Sequence, residues 1–148
     1  MGAKEIDWQT KIIQCVRNQG GYGGKWSSSV QVGKPDLILR LPLLNETFLM
    51  EVKLFKDIAA TGKFDRHIET TEKQREQLGL YEKAGGLSCV GVVLYYKPTH
   101  VVLVALPWTT ERLSSLLMDG PVAQGKWVPG VGFNMEAIMR QFKERLRG

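Results

Sequence analysis

Hydrophobic residues recur along the chain at two different spacings. Over residues 4–19 the apolar positions lie three and four apart, which predicts an amphipathic helix that Gly20-Gly21 ends. Residues 36–42 and 47–55 are short apolar runs separated by Asn45-Glu46, which predicts two strands joined by a turn. The second run is almost continuously apolar, as is typical of a central strand covered on both faces.

A polar, basic stretch and a helix follow these strands. Residues 56–70 contain few apolar positions and are predicted to form a loop. Thr71 and Gln74 have the spacing of a capping box, which predicts that a helix begins here and runs to about Lys83. Gly85-Gly86 then ends this helix.

The last part of the chain returns to apolar runs. Residues 88–96 and 100–106 are predicted as core strands, antiparallel because only Lys97-Pro98-Thr99 separates them. The remaining predicted segments are a short helix capped by Thr109 or Thr110 and ending near Met118, an irregular stretch at 119–133, and a helix from the cap Asn134 to Leu146. No repeat or linker interrupts the pattern, so residues 1–148 are expected to form one α/β domain with a mixed sheet flanked by helices.

Composition narrows the class of protein. The net charge is +5, from 20 basic and 15 acidic residues, which mildly favours an anionic partner. No apolar run approaches the roughly 20 residues of a membrane span, and the N-terminus has no secretory pattern, so we expect a cytoplasmic protein without a membrane partner. Cys15 and Cys89 are isolated, which predicts reduced, buried thiols rather than a zinc site.

Candidate chemistry lies on the two predicted strands between residues 36 and 55. Glu51 and Lys53 are two residues apart and share one face of a strand, while Val52 points to the other face. If the two strands pair, Asp36 lies next to Glu51. Two adjacent carboxylates repel each other unless a cation such as Mg²⁺ or Mn²⁺ lies between them. With Lys53 to orient an attacking water, the set suits phosphodiester hydrolysis. Alternatively, Asp36 is a turn residue and Glu51 and Lys53 form a solvated salt bridge.

The order Pro35-Asp36 … Glu51-Val52-Lys53 resembles the signature of the PD-(D/E)XK nuclease superfamily. Over roughly residues 5 to 96, the chain is most similar to VRR-type (virus-type replication-repair) nucleases and small Holliday junction resolvases. The resemblance implies a single restriction-endonuclease-like domain and a Mg²⁺-dependent endonuclease, with Mn²⁺ as a substitute, that cuts branched DNA as a resolvase or a flap or repair nuclease. It also implies work in DNA repair or recombination in a bacterial or phage-infected cell.

The resemblance also assigns roles to individual residues. The implied metal ligands are Asp36, Glu51, the Val52 carbonyl and Glu5, although Glu5 is equally explained as a surface residue that complements the helix dipole. Gln74 either faces the catalytic centre or only closes its capping box. Gln9, one turn after Glu5, either reaches the same site or stays solvated.

The expected partner is DNA. The candidate phosphate contacts are Lys25, Lys34, Lys56, Lys63, Arg66 and His67, each of which is otherwise an ordinary solvated side chain. Symmetric cutting of a four-way junction needs two active sites and therefore a homodimer, for which the third and fourth strands or the tryptophan-containing tail could supply the interface. Two alternatives stay open: a binding module that keeps the nuclease fold without cleavage, and a protein that is active only with a replication or repair partner.

Overall fold

The computed structural model describes residues 4–26, 36–58, 62–96 and 100–147, which form a mixed sheet with helices on both of its faces. The strands are β1 (Tyr22–Lys25), β2 (Leu37–Leu41), β3 (Glu46–Phe55), β4 (Asp65–His67), β5 (Leu87–Tyr96), β6 (His100–Pro107), β7 (Arg112–Ser114) and β8 (Ala123–Lys126). The helices are α1 (Glu5–Asn18), α2 (Glu72–Lys83), α3 (Ser115–Met118) and α4 (Met135–Arg147), and a 3₁₀ turn spans Pro42–Leu44.

Six strands form the main sheet in the order β1-β2-β3-β5-β6-β8. Neighbouring strands are antiparallel except β3 and β5, which are parallel and are connected through α2. A parallel pair requires such a crossover, because a tight turn can only join antiparallel strands. The strand predicted at 47–55 is β3, and its position inside the sheet confirms the prediction that it is central.

Each face of the sheet is covered by its own hydrophobic core. On one face, α1 and α4 pack against strand residues such as Leu37, Met50 and Val52. The other face carries α2 and the small antiparallel sheet of β4 and β7, packed against Val90 and Val92 of β5. This two-sided burial explains why β3 and β5 are apolar at successive positions rather than at alternate ones.

The predicted helix caps are present. Thr71 Oγ1 accepts a hydrogen bond from the Gln74 N–H at 3.1 Å, and Gln74 Oε1 accepts one from the Thr71 N–H at 2.9 Å. Asn134 Oδ1 accepts from the Ala137 N–H at 3.0 Å at the start of α4. The turn between β2 and β3 ends at Asn45, whose φ of 50° lies in the left-handed region that Asn tolerates.

Three predicted segments are wrong in detail. The loop expected at 56–70 contains β4, and the irregular stretch at 119–133 contains β8, an edge strand of the main sheet. The short helix is not capped by Thr109 or Thr110, because the chain first forms β7 and Ser114 then caps α3. These strands have three or four residues, so their stability comes from pairing with a neighbour and not from a local hydrophobic pattern.

The antiparallel pairing of β5 and β6 is confirmed by their register, whereas the turn Lys97-Pro98-Thr99 lies outside the described residues. Both strands lie inside the sheet, and Trp127 packs edge-on against Trp8 with ring centroids 5.5 Å apart. These strands and this tryptophan therefore make contacts within the chain, and the dimer interface expected from them stays a prediction. Both cysteines are buried free thiols, as predicted. Within the described residues, no helix is long and apolar enough to cross a membrane.

Candidate active site

The register of β2 against β3 brings the two predicted carboxylates together. Leu37 pairs with Met50, so one further step along both strands sets Asp36 opposite Glu51. The backbone fixes Asp36 at this point, because the Trp26 N–H donates to its carbonyl at 3.1 Å. Its side-chain Oδ2 accepts a hydrogen bond from the Val52 N–H at 2.9 Å, which ties the carboxylate to β3.

Glu51 is the most deeply buried charged residue of this site, with 2% of its surface exposed. Its Oε2 accepts a hydrogen bond from Gln74 Nε2 at 2.9 Å and lies 3.4 Å from Lys53 Nζ. Its Oε1 is buried and has no hydrogen-bond partner among the described residues. A buried carboxylate oxygen without a partner costs roughly 1–3 kcal/mol, so this atom is suited to a ligand.

Burial and mutual repulsion make the carboxylates reluctant to ionise. Desolvation raises the pKa of Glu51 to about 7, the negative charge of Asp36 adds to the effect, and the Lys53 ammonium opposes it. Burial also raises the pKa of Asp36, against the hydrogen bond from the Val52 N–H and the charge of Lys53. Ionisation of both carboxylates together is therefore unfavourable, and a bound cation would favour it.

Two helices complete the surroundings of the pair. From α2 comes Gln74, which both closes the capping box and contacts Glu51, so both of its predicted roles are compatible. Helix α1 contributes Glu5 and Gln9. Glu5 is exposed, and its charge contributes to the raised pKa of Glu51. The Gln9 side chain hydrogen-bonds to Asp36. Asp7, the other acid in the first turn of α1, accepts a hydrogen bond from the Lys4 N–H at 2.8 Å.

Gln9 is a site residue that the sequence left between two interpretations. Its helical spacing from Glu5 was the available signal, because residues four apart share a helix face. The structure removes the solvated alternative, since Gln9 is half-buried and bonded to Asp36.

The predicted phosphate contacts are dispersed around the site. Lys25 is exposed at the end of β1, one residue before Trp26, and Lys56 is exposed directly after β3. Arg66 and His67 lie on β4, where Arg66 forms an ion pair with Asp57 at 2.8 Å that partly neutralises its charge. Lys63 is exposed in the segment before β4, and Lys34 lies outside the described residues.

The carboxylates of Asp36 and Glu51 suit a hard cation whose coordination other ligands complete. Within the described ranges, no three acidic, histidine or cysteine side chains form a group that could hold a metal ion alone. A pair of carboxylates is nevertheless common at Mg²⁺ sites, where waters and substrate phosphates fill the remaining positions. The partnerless Glu51 Oε1 and the raised pKa of both acids are the features of the chain that fit such a cation.

Comparison with solved structures gives the fold a precedent. The chain resembles a Holliday junction resolvase of the archaeal hyperthermophile Archaeoglobus fulgidus, with a TM-score of 0.52 and 13% identity, over 74% of this chain and 87% of that chain. A VRR_NUC domain aligns with a TM-score of 0.46 and 22% identity, over 64% of this chain and 88% of that domain. Comparisons with protein-family models and with curated proteins found no match. The chain therefore shares its fold with this Holliday junction resolvase, and that fold is the mixed sheet flanked by helices that the sequence predicted.

Proposed function

We propose that this chain is a divalent-metal-dependent endonuclease that hydrolyses phosphodiester bonds in branched DNA. The observation that carries the proposal is the pair of the half-buried Asp36 and the buried Glu51, with Lys53 beside it and Glu51 Oε1 without a partner among the described residues. Clustered, buried carboxylates are unfavourable in a protein that only binds a polyanion, but they are needed where a cation meets a phosphate. The likeness of fold to a Holliday junction resolvase supports the choice of branched DNA.

The carboxylates of Asp36 and Glu51 and the Val52 carbonyl would hold Mg²⁺, or Mn²⁺ in its place. Glu5 is a further acid, and it lies close enough for its charge to raise the pKa of Glu51. When bound, the ion would lower the pKa of water and offset the charge that develops on the scissile phosphate. The neighbouring polar groups hold the two carboxylates in position. The Val52 N–H and Gln9 fix the Asp36 carboxylate, and Gln74 fixes Glu51.

Lys53 is the cationic group of the mechanism. Its ammonium lies on the same face of β3 as Glu51 and is largely shielded, with 18% of the side chain exposed. A shielded ammonium interacts more strongly with a phosphate than a solvated one does, because less water screens its charge. Lys53 would orient the attacking water and stabilise the negative charge of the transition state.

Binding of DNA would occur through phosphates. The candidate contacts are Lys25, Lys34, Lys56, Lys63, Arg66 and His67, and the net charge of +5 favours the same partner. Such binding weakens steeply with salt, because each neutralised phosphate releases counterions. If the substrate is a four-way junction, paired cuts require a twofold homodimer. A replication or repair protein is a further candidate partner. The proposed location is the cytoplasm of a bacterial or phage-infected cell.

The test is cleavage of labelled four-way junction, flap and linear duplex DNA with Mg²⁺, Mn²⁺ or EDTA. Wild type is compared with Glu51→Ala and with Glu76→Ala, which removes an exposed acid of α2. We expect metal-dependent cleavage of branched DNA that only Glu51→Ala abolishes. Retained DNA binding without cleavage under every condition would reject hydrolysis by the isolated chain.

A further inference from the structure

The face of the sheet that bears the carboxylate pair continues onto β1 and β2. Residues two apart on a strand share a face, so Ile38 and Arg40 lie on the side of Asp36, and their partners across β1 are Gly24 and Tyr22. Helix α2 packs over β3 and β5 on this face. Arg40 is exposed and Tyr22 has 61% of its surface exposed. We call Tyr22, Gly24, Ile38 and Arg40 the β1–β2 platform.

The aromatic ring of Tyr22 lies along its own strand. A Cβ atom built on Gly24 would lie 3.1 Å from the Tyr22 hydroxyl oxygen and 3.5 Å from the nearest carbon of the ring. The ring therefore leans over Gly24 towards Trp26, whose N–H is bonded to the Asp36 carbonyl. Tyr22 is thus exposed and extends along β1 in the direction of the carboxylate pair.

Arg40 adds positive charge to the platform. Its guanidinium donates to Thr47 Oγ1 at 3.0 Å and to Asn45 Oδ1 at 2.8 Å. Both partners are uncharged, so they orient the guanidinium without neutralising it. Arg40 of β2 is four residues from Asp36, which directly precedes the strand, a distance of about 13 Å at the usual rise of a strand.

We propose that the β1–β2 platform binds a single strand of DNA next to the active site, with an unpaired base stacked on Tyr22 and a phosphate at Arg40. An exposed aromatic ring next to a cation is the combination by which proteins hold single strands without reading their sequence. The bases of a continuous duplex are stacked on one another, so only an unpaired nucleotide can offer its face to Tyr22. This inference rests on the proposed function and refines its substrate to DNA with unpaired nucleotides at the branch.

The test is equilibrium binding, measured by fluorescence anisotropy in EDTA so that no cleavage occurs. The probes are labelled oligothymidylate and an abasic strand of equal length, which keeps the phosphates and lacks the bases. The variants are Tyr22→Ala, Tyr22→Phe and Arg40→Ala. The controls are Leu116→Ala, which shortens a side chain that is 83% exposed on α3, and Lys126→Ala, which removes a lysine at the opposite edge of the sheet.

We expect Tyr22→Ala to weaken binding of oligothymidylate about tenfold and to leave binding of the abasic strand unchanged, with Tyr22→Phe close to wild type. Arg40→Ala should weaken both probes, and Lys126→Ala neither. An equal loss on both probes for Tyr22→Ala, or no greater loss than for Leu116→Ala, would overturn the platform. A wild type that binds neither probe would overturn it too.

Failure of the platform and failure of the proposed function are distinguishable. A protein that shows the Tyr22-specific loss but cuts no DNA would reject hydrolysis and keep the platform. A protein that cuts branched DNA while Tyr22→Ala binds normally would reject the platform and keep hydrolysis.

Discussion

Replacing Glu51 by glutamine should stabilise the metal-free protein at alkaline pH, even though it removes a residue of the proposed active site. The carboxyl group is 2% exposed, and its pKa is raised from an ordinary 4.5 to about 7. An acid whose pKa is raised on folding binds its proton more tightly in the folded state than in the unfolded one. Its contribution to stability is therefore complete below about pH 4.5 and is lost as the pH rises through about 7.

The size of the effect follows from that difference in pKa. The interval between 4.5 and about 7 corresponds to about 3 kcal/mol of unfolding free energy. The amide introduced by Glu51→Gln would carry no charge at any pH, and its oxygen can still accept the hydrogen bond from Gln74. Relative to wild type, Glu51→Gln should therefore be stabilised by about 3 kcal/mol at pH 8 and change little at pH 4.

Urea unfolding in EDTA, followed from about pH 4 to about pH 8, measures this difference directly. Glu76→Gln is the matched control, because Glu76 is exposed on α2 and its replacement removes the same formal charge from the surface. The control should track wild type at every pH. A difference between wild type and Glu51→Gln that stays constant with pH would refute the assignment of a strained, buried carboxyl to Glu51.

Three further results are expected. Lys53→Met should lower the single-turnover rate of cleavage by about 100-fold or more while anisotropy shows DNA binding nearly unchanged, because the ammonium acts on the transition state; equal losses in both would contradict this. Gln9→Ala should raise the Mg²⁺ concentration needed for half-maximal cleavage by roughly 10-fold, and Gln9→Glu should not restore it, because an ionised carboxylate cannot donate a hydrogen bond to Asp36; an unchanged metal requirement would reject a positioning role. Asn134→Ala should lower the unfolding free energy by about 1 kcal/mol in urea, because α4 loses its cap, and an unchanged midpoint would argue against that cap.

The core of the site was predictable because it depends on local rules. Alternation along a strand sets Glu51 and Lys53 on one face, and the short turn at Asn45 makes β2 and β3 an antiparallel pair. Those two facts bring Asp36 to Glu51 without any knowledge of the rest of the fold. The position of Gln74 could also be predicted from the sequence, because its capping box fixes the first turn of α2.

Other features depend on contacts that are distant in sequence. The strands β4, β7 and β8 have no hydrophobic pattern of their own and exist because a neighbouring strand supplies their hydrogen bonds. No local sequence pattern predicts that Gln9 of α1 contacts Asp36, because this contact depends on how the helix packs on the sheet. The pairing of Tyr22 with Arg40 depends on the register between β1 and β2, which a long connection leaves undetermined.

We propose that Asp36 and Glu51 together hold a divalent cation. Isothermal titration of Mn²⁺ and Mg²⁺ into the wild type, Asp36→Asn, Glu51→Gln and the surface control Asp119→Asn tests it most directly. We expect saturable binding by wild type and Asp119→Asn, with proton release near neutral pH, and loss of binding in both site variants. Undiminished binding by Asp36→Asn and Glu51→Gln would show that these carboxylates do not hold the cation.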